Sequence, residues 1–250
     1  MASEKERENL LAEIDLVLRD NVKYGGMVAI AAGSGTPYSF KTDLTGGMND
    51  AILFGVGSIT SIFVAVVVLQ LVEEAKLRHT DSVQQDLPVD TYCGIENAST
   101  ATIQQLLSHT AGIDSWEDDS SWLVDGRGAN ADVSRTWRKT ETLDYIRRPR
   151  QTAPDPGSWY YSNTNYTLLG LIIESVTGST AEGEICRRIL EPLQMSCTFV
   201  EGFEDGPHNG ASRRYHYASK QFCETAGISA DFSPVSDDFI DVTGSNLSVS

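Results

Sequence analysis

The chain has 250 residues, and 35 Asp and Glu against 19 Lys and Arg give it a formal net charge of −16. This acidic balance repels phosphate backbones and anionic lipid, so it argues against nucleic-acid and membrane-surface binding. With 40% apolar and 22% charged residues, the composition is typical of a globular protein. Its four cysteines lie far apart and form no CxxC pair, which disfavours a disulfide scaffold and a zinc site. No metal and no cofactor are expected.

The apolar segments are too short to cross a bilayer. The longest run extends from Ile62 to Leu69 and slightly beyond, whereas a transmembrane helix needs about 20 residues. The N-terminal segment MASEKERENLLAEIDLVL is charged and lacks the apolar region of a signal peptide. We therefore expect no membrane span and a cytoplasmic location, with a removed leader left open.

Hydrophobic spacing predicts the order of the elements. An amphipathic helix is expected over 5–20, followed by strands at 26–32 and 37–42 that a Gly-Ser-Gly-Thr turn would join into a hairpin. Further helices are expected at 58–76, 103–109, 134–148, 164–177 and 180–190. The signal from 201 to 250 is weak, and no convincing strand follows the hairpin. Two strands alone rarely make a stable sheet, so this hairpin needs partners.

Three of these helices carry end signals. Thr102 and Gln105 have the spacing of a capping box at the start of the 103–109 helix. The 134–148 helix is expected to end before Pro149, because the residue preceding proline disfavours helical geometry. Gly178 follows the 164–177 helix and is expected to end it.

A serine opens the long apolar helix. In FGVGSITSIF (54–63), two glycines precede Ser58, which places its hydroxyl in the positive field of the helix N-terminus beside unpaired backbone N–H groups. These surroundings favour an alkoxide and an acyl-transfer oxyanion, so Ser58 is a candidate nucleophile. A plain helix N-cap is the alternative, because serine is a preferred N-cap residue.

A second polar segment precedes the 164–177 helix. In PGSWYYSNTNY (156–166), Tyr161 offers a phenol, Ser162 a hydroxyl, and Asn163 an amide that can both donate and accept hydrogen bonds. An asparagine N-cap among packed aromatic residues is the alternative interpretation of this segment.

Together, the two segments resemble the serine β-lactamase and penicillin-binding protein superfamily, in its class C β-lactamase, DD-peptidase and esterase branch. The resemblance continues through the ordered segments GSITSIF, LVEEAKLRHTDSVQQDLP, ATIQQLLSHTAGI, PGSWYYSNTNYTLLGLIIESVTG and EPLQMSCTFV. It implies an α/β fold with an antiparallel sheet flanked by helices and a mainly helical subdomain. In this division, 1–90 is the N-terminal part of the α/β domain and 91–250 the mainly helical subdomain.

The resemblance also implies roles for individual residues. Ser58 would become acylated, Tyr161 would move protons between serine, leaving group and water, and Asn163 would hold the substrate amide. The family has a lysine three residues after the serine, on the same helix face, but position 61 is serine. The Ser61 hydroxyl is not basic near neutral pH, so it cannot replace the lysine, although it could hold a water or bond to Tyr161. Lys76 is too far along the helix to substitute.

A further family element is expected near the C-terminus. The resemblance implies a Lys-Thr-Gly or His-x-Gly motif on a C-terminal strand beside the site. No Lys-Thr-Gly occurs after residue 200, and the one His-x-Gly match, His208-Asn209-Gly210, falls in a segment without a convincing strand pattern. The remaining sheet strands would come from the same region. The expected C-terminal sheet segment is therefore absent from the given chain, and a second chain or segment that completes the sheet is a candidate partner.

Other side chains near these motifs are secondary candidates. The family marker around His109 implies a structural role for this residue rather than a catalytic one. The acidic stretch 116–119 is expected to be a solvated loop. Trp116 and Trp122 are candidate substrate-binding residues, because the resemblance implies that active-site loops come from this region.

The sequence thus predicts a serine acyl-transfer enzyme, namely an esterase, amidase, D-peptidase or acyltransferase that acts on a small acyl, amide or peptide-like substrate. Because Ser61 replaces the lysine, two alternatives stay open. One is a catalytically silent binding protein on the same fold. The other is a changed chemistry in which Tyr161 acts as acid or base without an acyl-enzyme.

Overall fold

The computed structural model describes residues 9, 12, 13, 16, 27–32, 39–44, 55–132, 135, 137–200, 203, 204, 215, 216, 220–227, 233 and 234. The chain divides into two compact units, Met1–Ile52 and Leu53–Ser250, and each is described by itself. This division lies at Ile52, whereas the sequence placed a domain boundary at residue 90. The assignment of 1–90 and 91–250 to two domains stays a prediction.

The first unit contains the predicted hairpin. Strand β1 (Met27–Ala32) pairs antiparallel with β2 (Ser39–Leu44), in a register that places Met27 opposite Leu44 and Ala32 opposite Ser39. The second strand begins and ends two residues later than predicted. Of the predicted helix over 5–20, residues 9, 12, 13 and 16 are helical, and its other residues and the turn at 33–36 lie outside the described residues.

The second unit is built around two long helices, α1 (Thr60–Glu73) and α6 (Asn163–Thr177), which pack against each other. Four side chains from each helix are completely buried in one hydrophobic cluster: Val64, Val67, Val68 and Leu71 of α1, and Leu168, Leu169, Ile172 and Ile173 of α6. Burying each such side chain contributes about 1.5–3 kcal/mol. This packing fixes the starts of both helices, where the candidate site residues lie.

Shorter helices surround this core: α2 (Val83–Asp86), α3 (Val89–Tyr92), α4 (Ile103–Leu107), α5 (Ser120–Trp122), α7 (Ala181–Ile185) and α8 (Lys220–Ala226). Short 3₁₀ turns cover Gly57–Ile59, Ala98–Thr100, Trp116–Asp118 and Glu141–Ile146, and π turns cover Leu123–Arg127 and Cys186–Leu190. The predicted 180–190 helix is thus α7 continued by a π turn.

Two of the predicted helix ends are confirmed. The backbone N–H of Gln105 donates to the Thr102 hydroxyl at 3.2 Å, and the Gln105 side chain accepts from the Thr102 N–H at 2.9 Å, which completes the capping box. Gly178 ends α6 in the left-handed conformation, at φ 67°. Helix α1 stops at Glu73, earlier than predicted, because Ala75 takes the left-handed conformation at φ 56°.

The predicted helix over 134–148 is wrong. Only Glu141–Ile146 is helical among the described residues of this segment, and it forms a 3₁₀ turn. The Glu141 carboxylate accepts the Arg138 backbone N–H at 2.9 Å, which caps a new turn at 138. Threonine and tryptophan residues in this stretch also disfavour a continuous helix.

The C-terminal part contains two strands that the sequence did not indicate. Strand β3 (Tyr215–His216) pairs antiparallel with β4 (Ser233–Pro234). Two residues per strand are too few for an alternating pattern to show. Within the part of the chain that the structure describes, no helix is long and apolar enough to cross a membrane.

Candidate active site

Ser58 lies in the 3₁₀ turn that leads directly into α1. Gly57 precedes it with φ 53°, a left-handed conformation that glycine adopts without strain. A Cβ at Gly57 would meet nothing within 4 Å, so the backbone conformation rather than crowding favours glycine there. Val56 and Ile59 occupy the N-cap positions of the 3₁₀ turn and of α1. Ser58 therefore lies inside the 3₁₀ turn and not at either N-cap position, and its side chain is exposed.

Ser61 is half-buried in the first turn of α1, one turn after Ser58. Within the second unit, none of the described lysines replaces the family lysine. Lys76 lies about four turns further along, beyond the end of α1, and pairs with Glu74 at 2.9 Å. Lys139 pairs with Glu174 and Glu182 elsewhere in the fold, and Lys220 belongs to α8.

The loop that carries Tyr161 is hydrogen-bonded to the chain around His109. The Tyr160 N–H donates to the His109 carbonyl at 2.8 Å, and the Gly157 N–H donates to the Thr110 carbonyl at 2.8 Å. The Ser162 N–H donates to Nδ1 of the His109 ring at 3.2 Å. Tyr161 is 38% exposed, with its ring centroid 4.6 Å from that of His109. The phenol is thus held in place and still accessible.

His109 supports this loop as a neutral ring. Its Nδ1 accepts the Ser162 N–H and lies 3.2 Å from the Asn165 side-chain nitrogen, which places the ring proton on Nε2. Burial lowers the pKa of His109, which further favours the neutral form. The residue adopts a left-handed φ of 56°. These contacts give His109 the structural role that the resemblance implied.

Asp114 organises the segment just before the Tyr161 loop. It is 4% exposed, and its carboxylate accepts backbone N–H groups of residues 151–153 at 2.8–3.1 Å. Arg148 also donates to it at 2.8 Å. Although burial alone raises the pKa of Asp114, the N–H groups of Ala153 and Gln151 and the Arg148 guanidinium lower it overall.

Replacing Asp114 with asparagine should therefore lower the free energy of unfolding at pH 7 by about 1.5–3 kcal/mol, the range for hydrogen bonds to a charged group, because the neutral amide has one acceptor oxygen for several donors. A carboxylate with a lowered pKa stabilises the fold above its unfolded pKa, and this stabilisation is lost as pH falls through the folded pKa. The difference between wild type and variant should thus shrink in acid. Urea denaturation at pH 7 and at lower pH measures it. Asp155→Asn, at an exposed partner of Arg150, is the control and should change little.

Asn163 is the first residue of α6 and is 3% exposed. Its backbone N–H donates to the Ser115 hydroxyl at 3.2 Å, and its side-chain amide donates to the Glu117 carboxylate. Glu117 also pairs with Arg127 at 2.8 Å. The acidic stretch 116–119, predicted to be a solvated loop, therefore contributes a half-buried carboxylate directly to an expected site residue.

Trp116 and Trp122 lie in the hydrophobic core. Both are completely buried, and their rings pack edge to face at 4.6 Å. The Trp116 indole N–H donates to the Thr167 hydroxyl of α6 at 3.2 Å. Neither indole offers surface to a ligand in this arrangement; both instead support the wall that carries Glu117.

An open groove of about 430 Å³ lies between α1 and α6 and is lined by apolar side chains, including Ala65, Leu69 and Tyr166. Leu107 and Ser108, just before His109, form part of the same wall. Among the described residues, no group of His, Cys, Asp and Glu side chains is arranged to hold a metal ion.

Sequence reasoning missed Glu117, Arg127 and Asp114. Each belongs to a loop in which acidic and basic residues are frequent, so no spacing distinguishes it from a solvated charge. Their roles depend on contacts with residues 10 to 46 positions away along the chain, which include the bonds of Asp114 to 151–153.

Comparison with solved structures defines the class of fold. The chain is similar to a D-stereospecific amidohydrolase from Streptomyces sp., with a TM-score of 0.71, 27% identity and coverage of 89% of this chain and 62% of that one. It is also similar to the octameric penicillin-binding protein homologue from Pyrococcus abyssi, with a TM-score of 0.68, 25% identity and coverage of 98% and 53%. The fold is therefore of the β-lactamase and transpeptidase type, as predicted.

Sequence comparison then gives the family. The family model described as Beta-lactamase matches residues 14–230, and the chain belongs to this family. A penicillin-binding protein 4 from Amycolatopsis lactamdurans is 31% identical over 141 residues, which cover 56% of this chain and 34% of that protein. The chain spans about a third of the length of the curated relatives it matches.

Proposed function

We propose that the protein is a serine acyl-transfer enzyme that works through an acyl group on Ser58. The observation that carries this proposal is the exposed Ser58 hydroxyl at the start of α1, outside any capping position, on a helix packed against the one that follows Tyr161. Membership of the Beta-lactamase family supports the same chemistry.

In the proposed reaction, Ser58 Oγ attacks the substrate carbonyl carbon, and the carbonyl electrons move to oxygen. Tyr161 accepts the serine proton on its phenolic oxygen while its own proton passes to the leaving nitrogen or oxygen. The bond to the leaving group then breaks and an ester on Ser58 remains. Water, or another acceptor, releases the acyl group by the reverse relay. The helix N-terminus stabilises the negative oxygen of each intermediate.

The substrate class is an amide, ester or peptide-like acyl compound. The Streptomyces neighbour is a D-stereospecific amidohydrolase, and the Amycolatopsis relative is a penicillin-binding protein. We accordingly propose D-amino-acid amides and β-lactams as the first compounds to test. A second chain that completes the sheet is also proposed, and the octameric Pyrococcus abyssi homologue makes a second copy of this chain the candidate.

Ser61 favours two alternatives in which no acyl-enzyme forms. Without the lysine, the site has no strong base, and a general base is worth about 10²–10⁴-fold in rate. A binding protein on this fold, or chemistry that uses Tyr161 without an acyl-enzyme, would tolerate that loss. Proteolytic mapping after incubation with a β-lactam separates the possibilities. An acyl group on the peptide that contains Ser58 supports the proposal, and tight binding without an adduct supports the alternative.

A further inference from the structure

The ring of His109 is bonded through one nitrogen atom to the loop that carries Tyr161. We propose that His109 is a positioning residue that keeps Tyr161 in place for proton transfer only while its ring is neutral, so that acid releases the loop. This inference rests on the proposed function, which gives Tyr161 the proton relay, and adds a pH dependence to it.

Two N–H groups point at the same ring nitrogen. Nδ1 of His109 accepts the backbone N–H of Ser162 at 3.2 Å and lies 3.2 Å from Nδ2 of Asn165. Both donors belong to the start of α6, where Ser162 is the N-cap residue and completely buried and Asn165 is 1% exposed. Only an unprotonated Nδ1 can accept from them. A proton on Nδ1 would face these two donors, and both bonds would be lost.

The Asn165 amide offers a second arrangement. Because the Ser162 N–H can only donate, Nδ1 must be unprotonated, and the nitrogen end of the Asn165 amide faces it. The other end, Oδ1, is buried and has no hydrogen-bond partner among the described residues. If the amide turned over, Oδ1 would accept from a protonated Nδ1. The neutral ring therefore bonds to Ser162, whereas the charged ring would bond to Asn165 alone.

The position of Tyr161 depends on this bond because its neighbours in the chain are held by the same residue. The Tyr160 N–H donates to the His109 carbonyl at 2.8 Å, and the rings of Tyr161 and His109 lie 4.6 Å apart. Ser162 follows Tyr161 directly, so the loss of its bond to Nδ1 frees the backbone beside the phenol. The Ser162 hydroxyl, which donates to the Asp114 carbonyl at 3.1 Å, would still hold the start of α6.

The surrounding side chains described by the structure leave a charged ring without compensation. The titratable groups that contact it are the phenols of Tyr161 and Tyr166, which are uncharged in acid. Helix α4, just before His109, carries no titratable side chain. The segment 114–119 packs against α6, and its carboxylates are bonded elsewhere: Asp114 and Asp119 to Arg148, Glu117 to Arg127, and Asp118 to Tyr160. Burial lowers the pKa of His109 below its usual value of about 6.5, so the ring is neutral near pH 7 and its bonds are lost as the pH falls through the lowered pKa.

The variant His109→Asn keeps the acceptor and removes the ionisation. The Oδ1 atom of asparagine takes the place of Nδ1, and it accepts hydrogen bonds without binding a proton in this pH range. Asparagine also adopts the left-handed backbone conformation found at residue 109, with φ 56°. The matched control is His79→Asn, which removes an exposed imidazole from the wall of the groove.

Nuclear magnetic resonance with isotope-labelled protein tests the contact without a substrate. At pH 7 the His109 ring, assigned by its loss in His109→Asn, should carry its proton on Nε2, and it should titrate below pH 6.5. The backbone peak of Ser162 and the side-chain peaks of Asn165 should move with the same midpoint in the unmodified chain and in His79→Asn, and stay in place in His109→Asn. A Ser162 peak that does not follow the ring, or a ring that stays neutral until the protein unfolds, would overturn the proposal.

Rate profiles against pH test the effect on catalysis. In the unmodified chain and in His79→Asn, kcat/KM for hydrolysis of a short activated ester should fall about tenfold for each pH unit below the His109 midpoint, as for a single ionisation. This fall should be absent from His109→Asn, and the same fall in the folded variant would overturn the proposal. If His109→Asn does not fold, the Ser162 and Asn165 peaks of the unmodified chain still decide. Absence of hydrolysis at every pH would count against the proposed function, while the spectra still test the contact.

Discussion

Replacing Ser61 with lysine should raise the rate of acylation by about 10²–10⁴-fold, the range that a positioned general base contributes. Ser58 lies in the 3₁₀ turn that leads into α1, one turn before residue 61, so we expect the new amine to lie beside the hydroxyl. It would lower the pKa of the serine by its charge or accept its proton when neutral. Stopped-flow acylation with a chromogenic β-lactam measures the rate.

The matched control for this variant is Ser61→Met, which has a similar length and no basic group. Ser61 is half-buried, so both variants must accommodate a longer side chain at the same place. Thermal denaturation of the two proteins compares their stability. An equal rate in Ser61→Lys and Ser61→Met, with both folded, would show that Ser58 is not held for acyl transfer.

Replacing Tyr161 with phenylalanine should lower acyl transfer by about 10²–10⁴-fold, because the relay loses the oxygen that accepts and returns the proton. The ring contact with His109, at 4.6 Å, should persist in phenylalanine, so the loop should keep its position. Steady-state hydrolysis of a D-amino-acid anilide measures the loss. A fall in kcat with little change in KM is the expected signature of a group that acts in the transition state.

Tyr160→Phe is the control for this variant. The Tyr160 hydroxyl bonds to Asp118 at 2.7 Å and to Thr152 at 3.0 Å, so removing it also deletes a phenol from the same loop. Its effect on kcat should be much smaller than that of Tyr161→Phe. Similar losses in the two variants would point to loop stability instead of proton transfer. A fatal Tyr161→Phe together with a fully active Ser58→Ala would instead indicate chemistry without an acyl-enzyme.

Local signals in the sequence predicted the parts of the fold that depend on neighbouring residues. The capping box of Thr102 and Gln105 and the glycine end of α6 both involve residues within a few positions of each other. The prediction of a helix over 134–148 was wrong because the Glu141 carboxylate caps a new turn at Arg138. Hydrophobic spacing does not show that a side chain will bond to the backbone in this way.

The candidate site was predictable only in part, for a related reason. Two recognisable sequence segments contain Ser58, Tyr161 and Asn163. The structure places each of these residues at or just before the start of one of two packed helices. The carboxylates of Asp114 and Glu117 act through partners 10 to 46 residues away along the chain. Trp116 and Trp122 were expected near the substrate. The structure buries both in the core, where their large apolar rings are removed from water.

The central claim, an acyl group carried on Ser58, is tested most directly by intact-mass spectrometry. The 250-residue chain and Ser58→Ala would be incubated with β-lactams, short activated esters and D-amino-acid amides, and Ser61→Lys would serve as the sensitised form. We expect a stoichiometric mass increase equal to the acyl group in the unmodified chain and in Ser61→Lys, and none in Ser58→Ala. An adduct that persists in Ser58→Ala, or its absence from Ser61→Lys with every compound, would contradict the proposed function.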